Sequence, residues 1–524
     1  MSTPRSHFNY AKVTDEFLVN WFPKLPRDII EDVYAYIPSR TIRDTLLRVP
    51  TLRQTIIDIF FSKELHLIVT PSKENHFQSP NNHRNSLIGI ASNRHIQNFL
   101  SDYPDIRPQV IKVSTRVDFK LMAMILEECH ARLVQAPRLE IYIEEHILFT
   151  SQLDVFFKFP NLAKLHLSNV QFEPRTELII SRLEQLSSLT ELTFWNYRVT
   201  YESCLRLPVN LTHINVSWSS SSGGSRDNPQ TEPSPGTVKL FEVLSRMPRL
   251  KLLDGSLHHL PVINVSKLPR SLETIDFSWA HVHYFLYDVK LPSWPSGLKS
   301  IKLGSNISLD DHSLEQLSAI SWPPGLEHLD LSAKKITSLE HLTNLPNSLK
   351  SLNLFSANIK SLEVDHNNDG YPFFRFPDGL ESLKISLSYP ETEDSVAPEG
   401  MPVQERIQFP PNLRDLDILG VTDSILAQLL FPQFLEHLYL GRRIHDLNVY
   451  NYTLNSVEIV NWKHLTNLKK LHVSDNELKN PDNWSPPSSL RGMNLSSNPI
   501  QELEIWLPPS LLQQLNLGLD FLEE

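Results

Sequence analysis

The stretch from residue 322 to 358 holds two copies of one pattern, Pro-x-(Gly/Ser)-Leu-x-x-Leu-x-Leu, and this pattern constrains the fold more than any other feature of the chain. Leu326, Leu329 and Leu331 in the first copy answer to Leu349, Leu352 and Leu354 in the second, an advance of 23 residues. A period of this length marks a repeat architecture. Apolar and polar residues alternate through Leu329-Asp330-Leu331, as in a short strand with one buried face. One such strand cannot cover its own leucines. Stacked copies bury them in a continuous core and leave the alternate residues on a parallel sheet. The Pro-Pro-Gly or Pro-Asn-Ser ahead of each anchor leucine turns the chain into the strand.

Anchor leucines recur at positions 162, 189, 211, 250, 272, 298, 326, 349, 380, 413, 435, 468, 490 and 512, with steps of 22 to 39 residues. At ~4.8 Å per strand, fourteen strands make a sheet about 65 Å long before curvature, a surface suited to a macromolecule. The fullest copies, Leu468 to Leu478 and Leu490 to Ile500, read Leu-x-x-(Leu/Met)-x-(Val/Leu)-x-x-Asn-x-(Leu/Ile). These resemble the leucine-rich-repeat family. The resemblance covers most of the chain and implies an α/β solenoid with a curved parallel sheet. In that family an asparagine binds backbone groups as the chain leaves the strand, a task suited to an Asx side chain. Asn306, Asn476 and Asn498 hold that offset here, whereas Lys334, Val421 and Arg443 occupy it elsewhere.

Ahead of the regular array lie looser repeats over 65–159, where Leu65-His-Leu-Ile-Val, Val110-Ile-Lys-Val and Leu139-Glu-Ile-Tyr-Ile read as strands and Phe119 to Leu133 as a helix. Residues 1–20 are polar and expected to be disordered. Between them, 21–64 has helical spacing: Leu25-Pro26 opens a helix whose apolar stripe is Ile29, Ile30, Val33 and Ile37, and further helices are expected around Leu46 and after Pro50. Leu25-Pro-x-x-Ile29-Ile30-x-x-Val33-x-x-x-Ile37 resembles the first half of the F-box. That resemblance implies docking onto a Skp-type adaptor of a cullin ubiquitin-ligase complex, with Leu25, Pro26, Ile29, Ile30, Val33, Ile37 and Leu46 as the contact residues. Where many members carry Val-Cys/Ser-x-x-Trp, this chain has Val49-Pro50-Thr51-Leu52-Arg53. A helical cap over the first repeat accounts for the same apolar stripes without requiring Leu-Pro.

Two stretches, 219–236 and 389–408, are rich in Ser, Pro and Glu and read as insertions just after a strand. The net charge of −11 offers no general attraction to nucleic acid or anionic membranes. No segment reaches 18 consecutive apolar residues, and the first 20 lack a leader pattern. Two cysteines, Cys129 and Cys204, are too few for disulfide-capped repeats, so an intracellular, cytoplasmic or nuclear setting is expected. Seven Asn-x-(Ser/Thr) sequons argue the other way. Asn215 and Asn494, however, fall on polar alternates of the strand pattern.

No phosphate loop, His-Glu-x-x-His or Cys-x-x-Cys is present. His258-His259 is the most metal-like pair, but neighbours on a strand point to opposite faces. No cofactor or metal is expected, and no catalytic role. What remains is recognition, written by the alternates of each strand, with Trp195, Phe355 and Tyr439 as aromatic anchors for an unknown target protein.

Overall fold

The computed structural model describes residues 24–26, 29–30, 46–69, 93–116, 119–144, 147–168, 171–173, 182–200, 206–219, 241–254, 262–278, 284–286, 294–303, 321–332, 336, 339–359, 375–387, 407–441, 454–458, 460, 462–479, 484–500 and 506–518. The chain divides into two compact units, Met1–Ser217 and Trp218–Glu524. No described helix is long and apolar enough to cross a membrane.

In the first unit the amide of Ile30 donates to the Pro26 carbonyl (3.1 Å), the first helical turn after Leu-Pro. A helix over Pro50–Ile56 opens on its proline, where the missing N–H has no helical acceptor to lose. It continues as a wider turn through Ile57–Phe61. Leu52, Ile56 and Phe61 are buried, Phe61 beside Phe99 at 5.8 Å between ring centroids. The chain then enters the sheet. Strands β1 (Glu64–Val69), β2 (Val110–Thr115), β3 (Arg138–Glu144), β4 (Leu162–Ser168) and β5 (Glu191–Thr200) pair in that order, all parallel. β6 (His213–Ser219) follows. Helices Asn93–Asp102 and Phe119–Glu128 occupy the first two crossovers, so the looser repeats have the strand, helix, strand order read from their spacing.

The second unit carries β7 (Leu252–Asp254), β8 (Thr274–Asp276), β9 (Ser300–Lys302), β10 (His328–Asp330), β11 (Ser351–Ile359), β12 (Ser382–Leu387), β13 (Asp415–Leu419), β14 (His437–Gly441), β15 (Lys470–His472), β16 (Gly492–Asn494) and β17 (Gln514–Asn516). Each pairs in parallel with the next. The register is the one the anchor leucines dictate: Leu329 stands opposite Leu352, and Leu352 opposite Leu383. Because a slip of one residue would turn every leucine outward, the buried face locks this register.

Thirteen of the fourteen anchors are fully buried, and Leu512 is half-buried. In all fourteen the anchor N–H donates to the carbonyl three residues back, at 3.0 to 3.4 Å, so the turn ahead of each strand is closed by a hydrogen bond. Beyond the strands, the side-chain amide of Asn476 donates to the carbonyls of Leu440 and Ser474 and its oxygen accepts from the Leu454 N–H. Asn498 repeats the arrangement with Val473, Leu495, Ser496 and Leu478. Asn306 lies outside the described residues. At Val421, where the asparagine is absent, the preceding Gly420 takes φ +75°, and an added Cβ would stand 2.5 Å from the Leu387 carbonyl oxygen.

A row of buried aromatic rings that the repeat pattern did not suggest accompanies the leucines. Phe376, Phe409, Phe431, Trp462, Trp484 and Trp506 follow one another with centroids 5.8 to 6.5 Å apart. The three phenylalanines directly precede a turn proline, as do the stacked Trp294 and Trp322, so the dipeptide aromatic-Pro four residues before an anchor was its signal. Most of the two expected insertions lies outside the described residues. Ser219 ends β6, and Ile407–Gln408 pairs in parallel with Leu429–Leu430 in a small separate sheet.

Candidate recognition surface

The sheet face is built by the alternates that do not enter the core. Register places Asp254, Asp276, Lys302, Asp330, Asn353, Lys384, Asp417, Tyr439, His472, Asn494 and Asn516 in one row across β7 to β17, the central positions expected from the spacing. Five of them have an internal task. The side-chain oxygens of Asp276, Asp330, Asn353, Asn494 and Asn516 each accept from the backbone N–H two residues on, at 3.0 to 3.1 Å. At Asp276, Asp330, Asn494 and Asn516 this Asx turn ends the strand, and at Asn353 it precedes the register shift between Leu354 and Ile359. Asx at this row position is thus scaffold as much as recognition, a signal the alternation alone does not carry.

Lys384, Asp417, Tyr439 and His472 form the continuous part of the row in which no such cap is seen. Lys384 Nζ lies 3.0 Å from Asp417 Oδ2 and 6.0 Å from the centroid of the Phe355 ring. Tyr439 and His472 have ring centroids 5.9 Å apart. Phe355 is half-buried and stands where neighbouring strands carry the buried Ser332 and Ser386, and the Ser386 hydroxyl donates to the Phe355 carbonyl. The Tyr439 ring lies over Gly441: a Cβ there would meet Tyr439 Cε1 at 2.3 Å. That glycine is required for the ring to lie along its strand. Beside this row, His437 Nδ1 pairs with Asp415. Burial first, and the Lys470 charge second, hold the His472 imidazole below its usual value, which favours its neutral form. The result is a patch of two aromatic rings, an imidazole and one lysine–aspartate pair across five strands. Phe355 and Tyr439 therefore belong to one surface.

Trp195 belongs to the first unit. Its backbone lies in β5 opposite Ser168, and its side chain is outside what the structure describes. The first unit's face is charged but internally engaged. Lys112 pairs with Glu64 (2.6 Å), Arg138 with Glu140 and Glu191 (both 2.7 Å), and Lys164 with Glu191 (2.9 Å). The Tyr142 hydroxyl donates to Glu140 at 2.7 Å. Burial and that hydrogen bond push the Tyr142 phenol upward, so it stays a neutral donor.

Of the N-terminal residues, Leu25 is half-buried, Pro26 exposed and Ile29 43% exposed, whereas Ile30 and Leu46 are buried. Val33 and Ile37 lie outside the described residues. Of the expected contact residues, Pro26 and Ile29 are the exposed ones among those described. Among the described residues no group of three or more His, Cys, Asp or Glu is placed to hold a metal ion, and His258-His259 is not among them. The buried Cys129 thiol is pushed up to about 11 by desolvation and the Glu128 charge, the opposite of an activated nucleophile.

The fold and face define a leucine-rich-repeat solenoid. Two solved structures of similar form are an internalin from Listeria monocytogenes, at 16% identity and TM-score 0.39 over 75% of this chain and 88% of that one, and TLR13 in its complex with ssRNA13, at 16% and 0.39 over 80% and 69%. No family model and no curated protein matches the chain.

Proposed function

We propose that this chain is a recognition subunit without chemistry of its own: its N-terminal helices dock a Skp-type adaptor of a cullin ubiquitin ligase, and the Phe355–Tyr439 patch holds the target protein. Isopeptide formation then belongs to other subunits, and this chain contributes proximity. The supporting observation is Leu25-Pro26 followed by an outward Ile29 and an inward Ile30, which leaves an apolar anchor at the surface where an adaptor would bind. Ile29→Asp places a charge on that surface without entering the core. Titration of purified Skp adaptor is expected to show at least about tenfold weaker binding for this variant, with unchanged melting. Equal affinity for variant and wild type, or no binding by either, would sink the reading.

A cap role also has specific support, but for the following segment. Leu52, Ile56 and Phe61 are buried and run straight into β1, so residues 50–61 serve the solenoid. Under this division, 50–61 closes the first repeat while 25–30 meets the adaptor.

A further inference from the structure

The residue after each anchor leucine in the second unit lines the side on which the strands begin. From Lys251 to Lys469 its charge alternates in sign over nine consecutive repeats. Most of these charges pair with a neighbour: Lys251 with Glu273 (2.9 Å), Lys350 with Glu327 (2.8 Å), Arg414 with Glu436 (3.3 Å), and Lys469 also with Glu436. Glu381 sits between Lys350 and Arg414, and both cations turn to other carboxylates. Glu381 has no ion-pair partner among the described residues.

One position earlier, just before the anchor, eleven of the fourteen repeats carry Gly, Ser or Asn. Where the side chain is polar it sews repeats together: Ser348 Oγ donates to Leu326 O (2.7 Å), Asn412 Nδ2 to Asp378 O (2.9 Å) and Asn467 Nδ2 to Gln433 O (3.2 Å). In the repeat between the last two stands Phe434, which cannot make this bond and is 57% exposed. The exposed ring takes the place of a stitching side chain. Phe434 and Glu381 line one open cavity of about 510 Å³ together with Asn347, Lys350, Asn412 and Arg414.

We propose that this cavity is a second binding site, distinct from the sheet-face patch, that takes a lysine or arginine side chain presented by a partner protein. Glu381 supplies the counter-charge and the Phe434 ring the face on which a cation rests. An anion fits poorly, since Lys350 and Arg414 are already engaged by Glu327 and Glu436. The net charge of −11 draws basic partners toward the molecule. The site stands independently of the adaptor reading.

The test uses the full chain and three fluorescein-labelled probes, acetyl-Gly-Ser-Arg-Ser-Gly-amide and its lysine and citrulline counterparts, titrated by anisotropy. Wild type is expected to bind the two cationic probes and not the citrulline one. Phe434→Ser and Glu381→Gln should each weaken that binding about tenfold, while Glu273→Gln, elsewhere on the same row, leaves it unchanged. Because serine is, with asparagine, one of the two commonest residues at this turn, Phe434→Ser should melt at or above the wild-type temperature. The proposal is overturned if wild type ignores the cationic probes, if both site variants bind them normally, or if Phe434→Ser melts several degrees lower.

Discussion

Asp254 shows how one residue of the sheet face can work against the stack that holds it. Burial first, and repulsion from Asp276 on the next strand second, raise its carboxyl from the ordinary 3.8 to about 6. The folded chain therefore binds a proton that the unfolded chain has released between those values. The stabilising contribution of this group is complete below about pH 3.8 and is lost as pH rises through 6. Asp276 opposite behaves otherwise: desolvation is opposed by Lys302 at 2.8 Å and by Ser278, and the net effect holds its carboxyl below the usual range. Asp254→Asn, which keeps an acceptor and removes the charge, is expected to raise the melting temperature at pH 7.5 by a few degrees. Melting curves from pH 7.5 down to 4.5 should show that gain shrinking. A gain that is constant or grows toward acid pH would contradict this account of Asp254.

At the scale of the repeat, the strands and their register were legible because period-two alternation and a Pro-x-x-Leu turn leave no second arrangement that buries the leucines. The asparagine at the strand exit was legible at Asn476 and Asn498 for the same reason. Asn476 is 4% exposed and satisfies three backbone groups from two repeats. Asn476→Ala strands all three, and the expected loss is about 2–4 kcal/mol, read from a urea unfolding curve. A loss under about 0.5 kcal/mol would mean that water replaces the amide. What the alternation missed was the double duty of Asp276, Asp330, Asn353, Asn494 and Asn516, whose caps act along the chain and not across the sheet. The aromatic row was missed because its members shift from four to six residues ahead of the anchor between Phe431 and Trp462. A pattern tied to a fixed offset cannot follow that shift.

For the whole chain, sequence alone carried the solenoid but not the grouping of its anchors. Trp195, Phe355 and Tyr439 look alike as exposed aromatics in a string of polar alternates. Only the parallel register places Lys384 over Phe355 and His472 against Tyr439, whereas Trp195 belongs to the first unit and its side chain lies outside the described residues. Of the expected N-terminal stripe only Ile29 and Ile30 are among the described residues, and which of the two faces outward depends on contacts that no local pattern fixes. In the proposed function the Phe355–Tyr439 patch captures the target. Its most direct measurement compares proteins co-purifying with wild type and with the Phe355→Ala/Tyr439→Ala variant, with thermal melting of both as the control. Target recovery is expected to fall at least about tenfold while the melting temperature stays within a few degrees and the Skp adaptor is retained. Undiminished recovery of every partner, or a variant that no longer folds, would contradict it.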